Sequence, residues 1–353
     1  MNKIKKVGWG FEICNMHCRH CYNSSTERGC KYTFEQLKEI ADKICPQIED
    51  ISFGTGEFIC NPNALDLARY IKDTYPHVKM AVTSNGSTIV QMEPEEVKRL
   101  FSDIDISLDY PDEKKHCDFR RHEKSWEWAI GALRVLDELQ VPHSIVTCIT
   151  SETKNEDLEG LLGIARQYRA NLRFNWFRKV GRGNEDLRIT ARRAWEIIEF
   201  LSDKVVFECI DPIFAGVLGV EAIPCPAGRI SCRIHASMDI SCYPFLKGAE
   251  WSGGNILDKG IDLDAIYTSA IFQKLRARKV AACQDCEFEK TCKGGCITRA
   301  VLHNGSMSEV DDYCPVAASL DINRLKRIKI RLQPTSELVH NGYLCTTICR
   351  PIV

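Results

Sequence analysis

The chain has 353 residues, of which 44% are apolar and 27% charged, and a formal net charge of -1. That balance, with no long run of one sign, argues against a nucleic-acid groove or a membrane-surface patch. No apolar stretch approaches the ~20 residues of a membrane span, and the length favours one large domain plus a smaller one.

The N-terminus, MNKIKKVGWGFEIC, is basic but has no apolar core or cleavage site, so no export signal is visible. The first strand is expected over residues 5–13 and ends at a cysteine loop. Thr33 then starts a helix through a capping box with Gln36, and Leu37, Ile40, Ala41 and Ile44 share one face. IEDISFGTGE reads as a strand running into a glycine turn, NALDLARYIKDTY as a helix, and KMAVTSNG as strand and turn. Residues 94–101 follow as helix and FSDIDISLDY as strand. WEWAIGALRVLDEL is amphipathic, with apolar residues at 126, 129, 130, 133 and 136. PHSIVTCIT is a strand, EDLEGLLGIARQY a helix, ANLRFNWF a strand and TARRAWEIIEFL a helix.

This alternation implies a parallel sheet with helices outside, doubly wound or curled into a full or partial barrel. Ligands of such sheets sit at the C-terminal strand ends, which puts the cysteine loop, GTGE, SNG and SLDY on one rim. After about residue 205 the pattern breaks into short strands and turns, and eight cysteines fall between positions 225 and 314. A final helix is expected around SLDINRLKRIKIRL, followed by a tail ending GYLCTTICRPIV.

Nineteen cysteines is the outlier. A disulfide framework belongs mainly to small secreted domains. In a large chain without a visible signal, metal binding in the cytoplasm is the better expectation. Cys14, Cys18 and Cys21 form C-x3-C-x2-C. Three thiolates leave a tetrahedral zinc site one ligand short, but they can hold a [4Fe–4S] cube with its fourth iron open. Buried or paired thiols, or part of a zinc site, are the alternatives.

The run CNMHCRHCY, after one strand at the head of a βα array, resembles the signature of the radical S-adenosylmethionine superfamily. The resemblance implies that the open iron chelates the cofactor and that reductive cleavage releases a 5′-deoxyadenosyl radical. It extends along the rim. Gly54, Thr55, Gly56 and Glu57 stand where the family has a glycine-glycine-glutamate turn for the cofactor's amino group, with Thr55 replacing one glycine. Ser84 and Asn85 resemble the third-strand turn, and Ser107 and Asp109 the end of the fourth. There Tyr110 replaces the usual glycine. His116 and Arg120, then Thr150 with Asn155 and Asp157, and finally Gly181-Arg182-Gly183 continue the correspondence. For Asn155 or a neighbour, helix capping is the alternative role.

The second cysteine set resembles the SPASM extension of radical enzymes. By that resemblance Cys225, Cys232, Cys242 and Cys296 hold an inner auxiliary cluster, and Cys283, Cys286, Cys292 and Cys314 an outer one. Paired four-thiolate zinc sites are the alternative. Cys45 and Cys148 are expected in the core, and Cys345 and Cys349 in the tail, disordered or in a buried turn there, or acting as hydrogen-atom donor or substrate contact.

The expectation is therefore an α/β chain: a partial (β/α)6 barrel over residues 1–204, a SPASM domain over 205–330 and a tail over 331–353. The implied activity is radical modification of a ribosomally made peptide, using S-adenosyl-L-methionine and three [4Fe-4S] clusters. The alternatives are sulfatase-maturase-like protein modification, or a non-enzymatic zinc or redox protein. Expected partners are the precursor peptide and a reducing protein of ferredoxin or flavodoxin type. Since only 13 residues precede Cys14, leader recognition falls to a separate protein or to the enzyme's own groove.

Overall fold

The computed structural model describes residues 3–220, 225–341 and 346–352. The six expected strands form β1 (Lys6–Gly10), β2 (Asp50–Gly54), β3 (Lys79–Ser84), β4 (Asp103–Ser107), β5 (His143–Ile149) and β6 (Asn171–Trp176). Each is parallel to the next. The helices between them cover the outside. In α1 (Phe34–Ile44), Thr33 Oγ1 accepts from the Gln36 amide while Gln36 Oε1 accepts from the Thr33 amide. Its four predicted apolar residues are the buried ones.

Strand alternation divides the interior. Val7, Trp9, Ile51, Phe53, Val82 and Ile104 belong to the main apolar core. The intervening residues are small or polar, and Ser52, Gly54, Thr83, Asp105 and Arg173 line an open lumen.

The cysteine-rich half joins the same sheet. Beyond β7 (Val205–Cys209), strand β8 (Ser231–Ile234) runs parallel to β1 on the edge opposite β2. Strands β9 (Asp239–Ser241) and β10 (Ser252–Asn255) extend that edge antiparallel.

Two expectations for the C-terminus change. Around SLDINRLKRIKIRL only one helical turn forms, Ile322–Leu325. The basic residues that follow give no continuous apolar face, and β11 (Arg331–Leu332) pairs with β7 instead. The final residues form β12 (Thr347–Pro351), inserted antiparallel between β6 and β7. Thr347, Ile348 and Cys349 are buried and Arg350 is exposed, so this short segment satisfies two strand edges that would otherwise stay unpaired. Just before it, the amides of Val339 and His340 donate to Asp103, and Val339 packs on Ala81. Cys349 is buried in β12 and does not line the lumen; Cys345 lies outside the described residues.

Candidate active site

The cysteine loop leaves β1 and is held by three turns. The Glu57 amide donates to the Ile13 carbonyl at 2.7 Å, and the Glu12 amide to the Thr55 carbonyl at 3.1 Å. Gly56 has φ +86°, and a Cβ there would lie 2.2 Å from the Ile13 oxygen, so only glycine lets the two loops meet. Gly181 plays the same part opposite: its φ is +68° and a Cβ would lie 2.4 Å from the Cys21 oxygen. The next residue, Arg182, donates from its amide to Cys21, from Nε to the Cys18 carbonyl and from Nη1 to the Ser25 carbonyl. Arg19 forms a bidentate pair with Glu152, and His20 stacks on Phe119 at 4.6 Å.

Cys14, Cys18 and Cys21 line one cavity of about 220 Å³ together with Gly54, Thr55 and Gly56. Glu57, Ser84, Asn85, Ser107 and Arg120 line it too. Asp109 stands behind Arg120, which donates to it from Nε at 2.7 Å. Thr150 lies outside the lining, where its hydroxyl accepts from the Glu152 amide.

Glu57 is buried and accepts from Ser84 Oγ, the Asn85 amide and Thr88 Oγ1, all within 2.7 Å. Burial raises its pKa while these donors act against the rise. The carboxylate thus fixes the third-strand turn as well as facing the cavity. Burial also lowers the His20 pKa to about 4, leaving a neutral ring whose buried Nδ1 has no partner among the described residues.

At Asp109 burial raises the pKa, but Arg120, joined in acid by the protonated His20 and His116 rings, outweighs it and holds the carboxyl at about 2. A carboxyl depressed in this way stabilises the fold above its usual value near 3.8, and that contribution is lost as pH falls through about 2. Asp109→Asn should therefore flatten the acid limb of the unfolding curve, removing about 2 kcal/mol of pH-dependent stability between pH ~4 and ~2. It should also destabilise at neutral pH, because Arg120 stays buried without its counter-charge. Denaturant midpoints across pH check this; parallel acid limbs for both proteins would contradict it.

Sequence reasoning missed several cavity residues, among them Trp176, Arg178, Arg233, Phe245 and His340. Cys148, expected in the core, also faces the cavity. The signal for the β6 residues was the alternation in RFNWFR. His340 and Arg233 come from distant segments and gave no local signal.

Seven of the eight cysteines in the second set gather at two places. Cys283, Cys286, Cys292 and Cys314 line one small recess with Ile213 and Val217. Cys242 lies within electrostatic reach of Cys232 and Cys225, and burial followed by these neighbours raises its pKa. A Cβ at Gly228 would meet the Cys242 sulfur at 2.6 Å, so glycine is needed there. Cys296 starts the helix Ile297–Asn304, and its thiol contacts Thr298 Oγ1 at 3.0 Å and Arg178 Nη2 at 3.5 Å.

Zinc would need several donors at about 2.0–2.3 Å from one point. Among the described residues no three His, Cys, Asp or Glu side chains converge in that way. Cys14, Cys18 and Cys21 share one cavity, and Cys283, Cys286, Cys292 and Cys314 share one recess. Burial raises the Cys14 and Cys18 pKa values, and bound iron would supply the positive charge that ionises them.

Residues 10–162 match the Radical SAM superfamily. The chain is 28% identical over 318 residues to the mycofactocin maturase MftC of Mycolicibacterium smegmatis, covering 85% of this chain and 80% of that protein. The Mycobacterium ulcerans MftC is 28% identical over 319 residues, 85% of each chain. Among solved structures, anSMEcpe with bound AdoMet and Cp18Cys peptide superposes with a TM-score of 0.69 at 14% identity, over 91% of this chain and 96% of that one. Streptococcus suis SuiB bound to S-adenosylmethionine gives 0.65 at 15% identity, over 88% and 77%. These likenesses show the fold.

Proposed function

The chain carries a radical S-adenosylmethionine domain, and from that premise we propose that it is an enzyme that modifies a ribosomally made peptide. The observation that carries this reading is one cavity shared by the Cys14, Cys18 and Cys21 thiols, the GTGE and SNG turns and Ser107. The substrate class rests on the sequence likeness to proteins named as maturases; SuiB, similar in fold, has been solved with its precursor peptide SuiA.

When bound, the cluster and S-adenosylmethionine would supply a 5′-deoxyadenosyl radical that takes hydrogen from an unactivated carbon. Cys14, Cys18 and Cys21 would hold that cluster. Gly56 and Glu57 would receive the cofactor's amino group, Ser84, Asn85 and Ser107 its other polar groups, and Arg120 would act as a fixed cation braced by Asp109. Thr150 sets the turn before helix Asn155–Gln167 and would act from outside the cavity. Arg182 holds the loop carbonyls of Cys18, Cys21 and Ser25, and Trp176, Phe177 and Phe245 on the cavity wall exclude water.

We assign Cys225, Cys232, Cys242 and Cys296 to an inner auxiliary cluster and Cys283, Cys286, Cys292 and Cys314 to an outer one, making three [4Fe-4S] clusters. The barrel would occupy 1–204 and the auxiliary domain 205–330. A ferredoxin- or flavodoxin-type protein would supply electrons in the cytoplasm. Among the described residues no helix is long and apolar enough to cross a membrane.

After anaerobic reconstitution about twelve irons per chain are expected, and about four fewer in Cys286→Ala. Zinc without iron in the wild type would defeat the reading, and an unchanged iron count in the variant would defeat that ligand assignment.

A further inference from the structure

The guanidinium of Arg233 reaches the cavity along an unusual path. It starts on β8, beside β1, and crosses the lumen face of three glycines. A Cβ on Gly8 would lie 2.5 Å from Arg233 Nη1 and 2.9 Å from its Cδ; one on Gly10 would lie 3.2 Å from Nη2, and one on Gly54 3.7 Å from Nη2. Side chains there would occupy the path of the arginine.

Its tip is held by Thr55, whose Oγ1 accepts from Arg233 Nη2 and shares a 2.6 Å hydrogen bond with the Tyr22 hydroxyl. Thr55 has φ +71°, a left-handed backbone that a β-branched residue rarely adopts. A glycine there would relieve the strain but would leave the guanidinium without this acceptor.

The cavity's other guanidinium groups have evident work. Arg120 and Arg173 pair with Asp109 and Asp105, Arg178 binds Thr298 and Cys296, and Arg182 binds the cysteine loop. Arg233 forms no ion pair among the described residues, and its buried Nε has no acceptor there. A guanidinium fork with free N–H groups in a partly dehydrated cavity matches the two oxygens of a carboxylate.

We propose that Arg233 binds a carboxylate carried by the peptide substrate and so sets which residue of the peptide faces the radical centre. This rests on the peptide-modifying reading of the cavity. In that reading the cofactor's own carboxylate goes to the open iron and leaves Arg233 to the substrate.

The test uses anaerobically purified holoenzyme with S-adenosylmethionine bound, and equilibrium dialysis against radiolabelled N-acetylglycine. N-Acetylglycinamide serves as the uncharged competitor. Wild type should retain N-acetylglycine, and the amide should not displace it. Arg233→Gln should weaken retention at least about tenfold. Gly8→Ala should do the same, because its methyl group meets the Arg233 side chain at Nη1 and Cδ rather than any backbone atom. Both variants should keep their iron and their affinity for S-adenosylmethionine. No retention by wild type, or equal retention by the variants, would overturn the proposal. So would an Arg233→Gln protein whose affinity for S-adenosylmethionine falls tenfold, which would assign the guanidinium to the cofactor. Formation of 5′-deoxyadenosine by the same wild-type preparation with dithionite judges the radical reading separately.

Discussion

Replacing Cys18 with alanine should abolish reductive cleavage of S-adenosylmethionine, bringing 5′-deoxyadenosine to the level of an enzyme-free control. Cys18 is buried, while Cys14 and Cys21 are partly exposed, and its carbonyl is pinned by Arg182. The loop backbone is therefore set by contacts that do not involve the thiol. The variant should fold, because the β1 core, the Gly56 and Gly181 turns and the Arg19–Glu152 pair are untouched. What is lost is one of the three thiolates that would hold the cluster. Iron should fall by about four per chain, leaving that of the auxiliary cysteines. Cys14→Ala and Cys21→Ala should behave alike. Normal 5′-deoxyadenosine from any of them would remove the triplet from the mechanism.

The largest stability effect is expected at Arg299. Its guanidinium is fully buried, donating to both oxygens of Asp211 at 2.8 and 3.0 Å and to both of Asp311 at 2.6 Å. It also stacks on Tyr313 at 4.4 Å. Asp211 caps the helix Pro212–Leu218, whose Ile213 and Val217 line the outer cysteine recess. Asp311 also accepts from the amides of Cys296 and Tyr313. One arginine therefore ties the helix that follows β7 to the segments bearing Cys296 and Cys314. Arg299→Met leaves two buried carboxylates without their cation, a defect worth about 3–5 kcal/mol. Arg299→Lys should recover little, because an ammonium cannot reproduce the fork. Urea unfolding of anaerobic protein measures both, and a change below about 1 kcal/mol would show that the network is not the joint inferred from it.

Much of the barrel was legible in local pattern. All six strands and the Thr33–Gln36 capping box could be read because period-2 and period-3.6 apolar spacing coincide with strong turn signals. The rim was legible because ligand-facing turns follow strands in a fixed order. What escaped reading depends on contacts between remote segments. TTICRPIV becomes a strand only because β6 and β7 leave a gap between them, so it looked like a tail. RLKRIKIRL had enough helix formers to suggest a helix, yet pairing with β7 prevailed. The polar lumen was half visible: the alternation in VGWG, ISFG and DIDIS holds it, but only the curled sheet shows that the small and acidic residues face a cavity. Thr55 was noticed as a departure from the glycine pattern. Its use, holding Arg233 and Tyr22, needs a strand that lies 178 residues further along.

The cavity around Cys14, Cys18 and Cys21 is the proposed seat of radical chemistry, and reductive cleavage of S-adenosylmethionine tests it most directly. Holoenzyme prepared without oxygen, given dithionite and S-adenosylmethionine, should form 5′-deoxyadenosine and methionine in equal amounts, and the Cys18→Ala protein should form neither. Iron-loaded wild-type protein that leaves S-adenosylmethionine intact, or cleaves it no better than Cys18→Ala, would contradict the account.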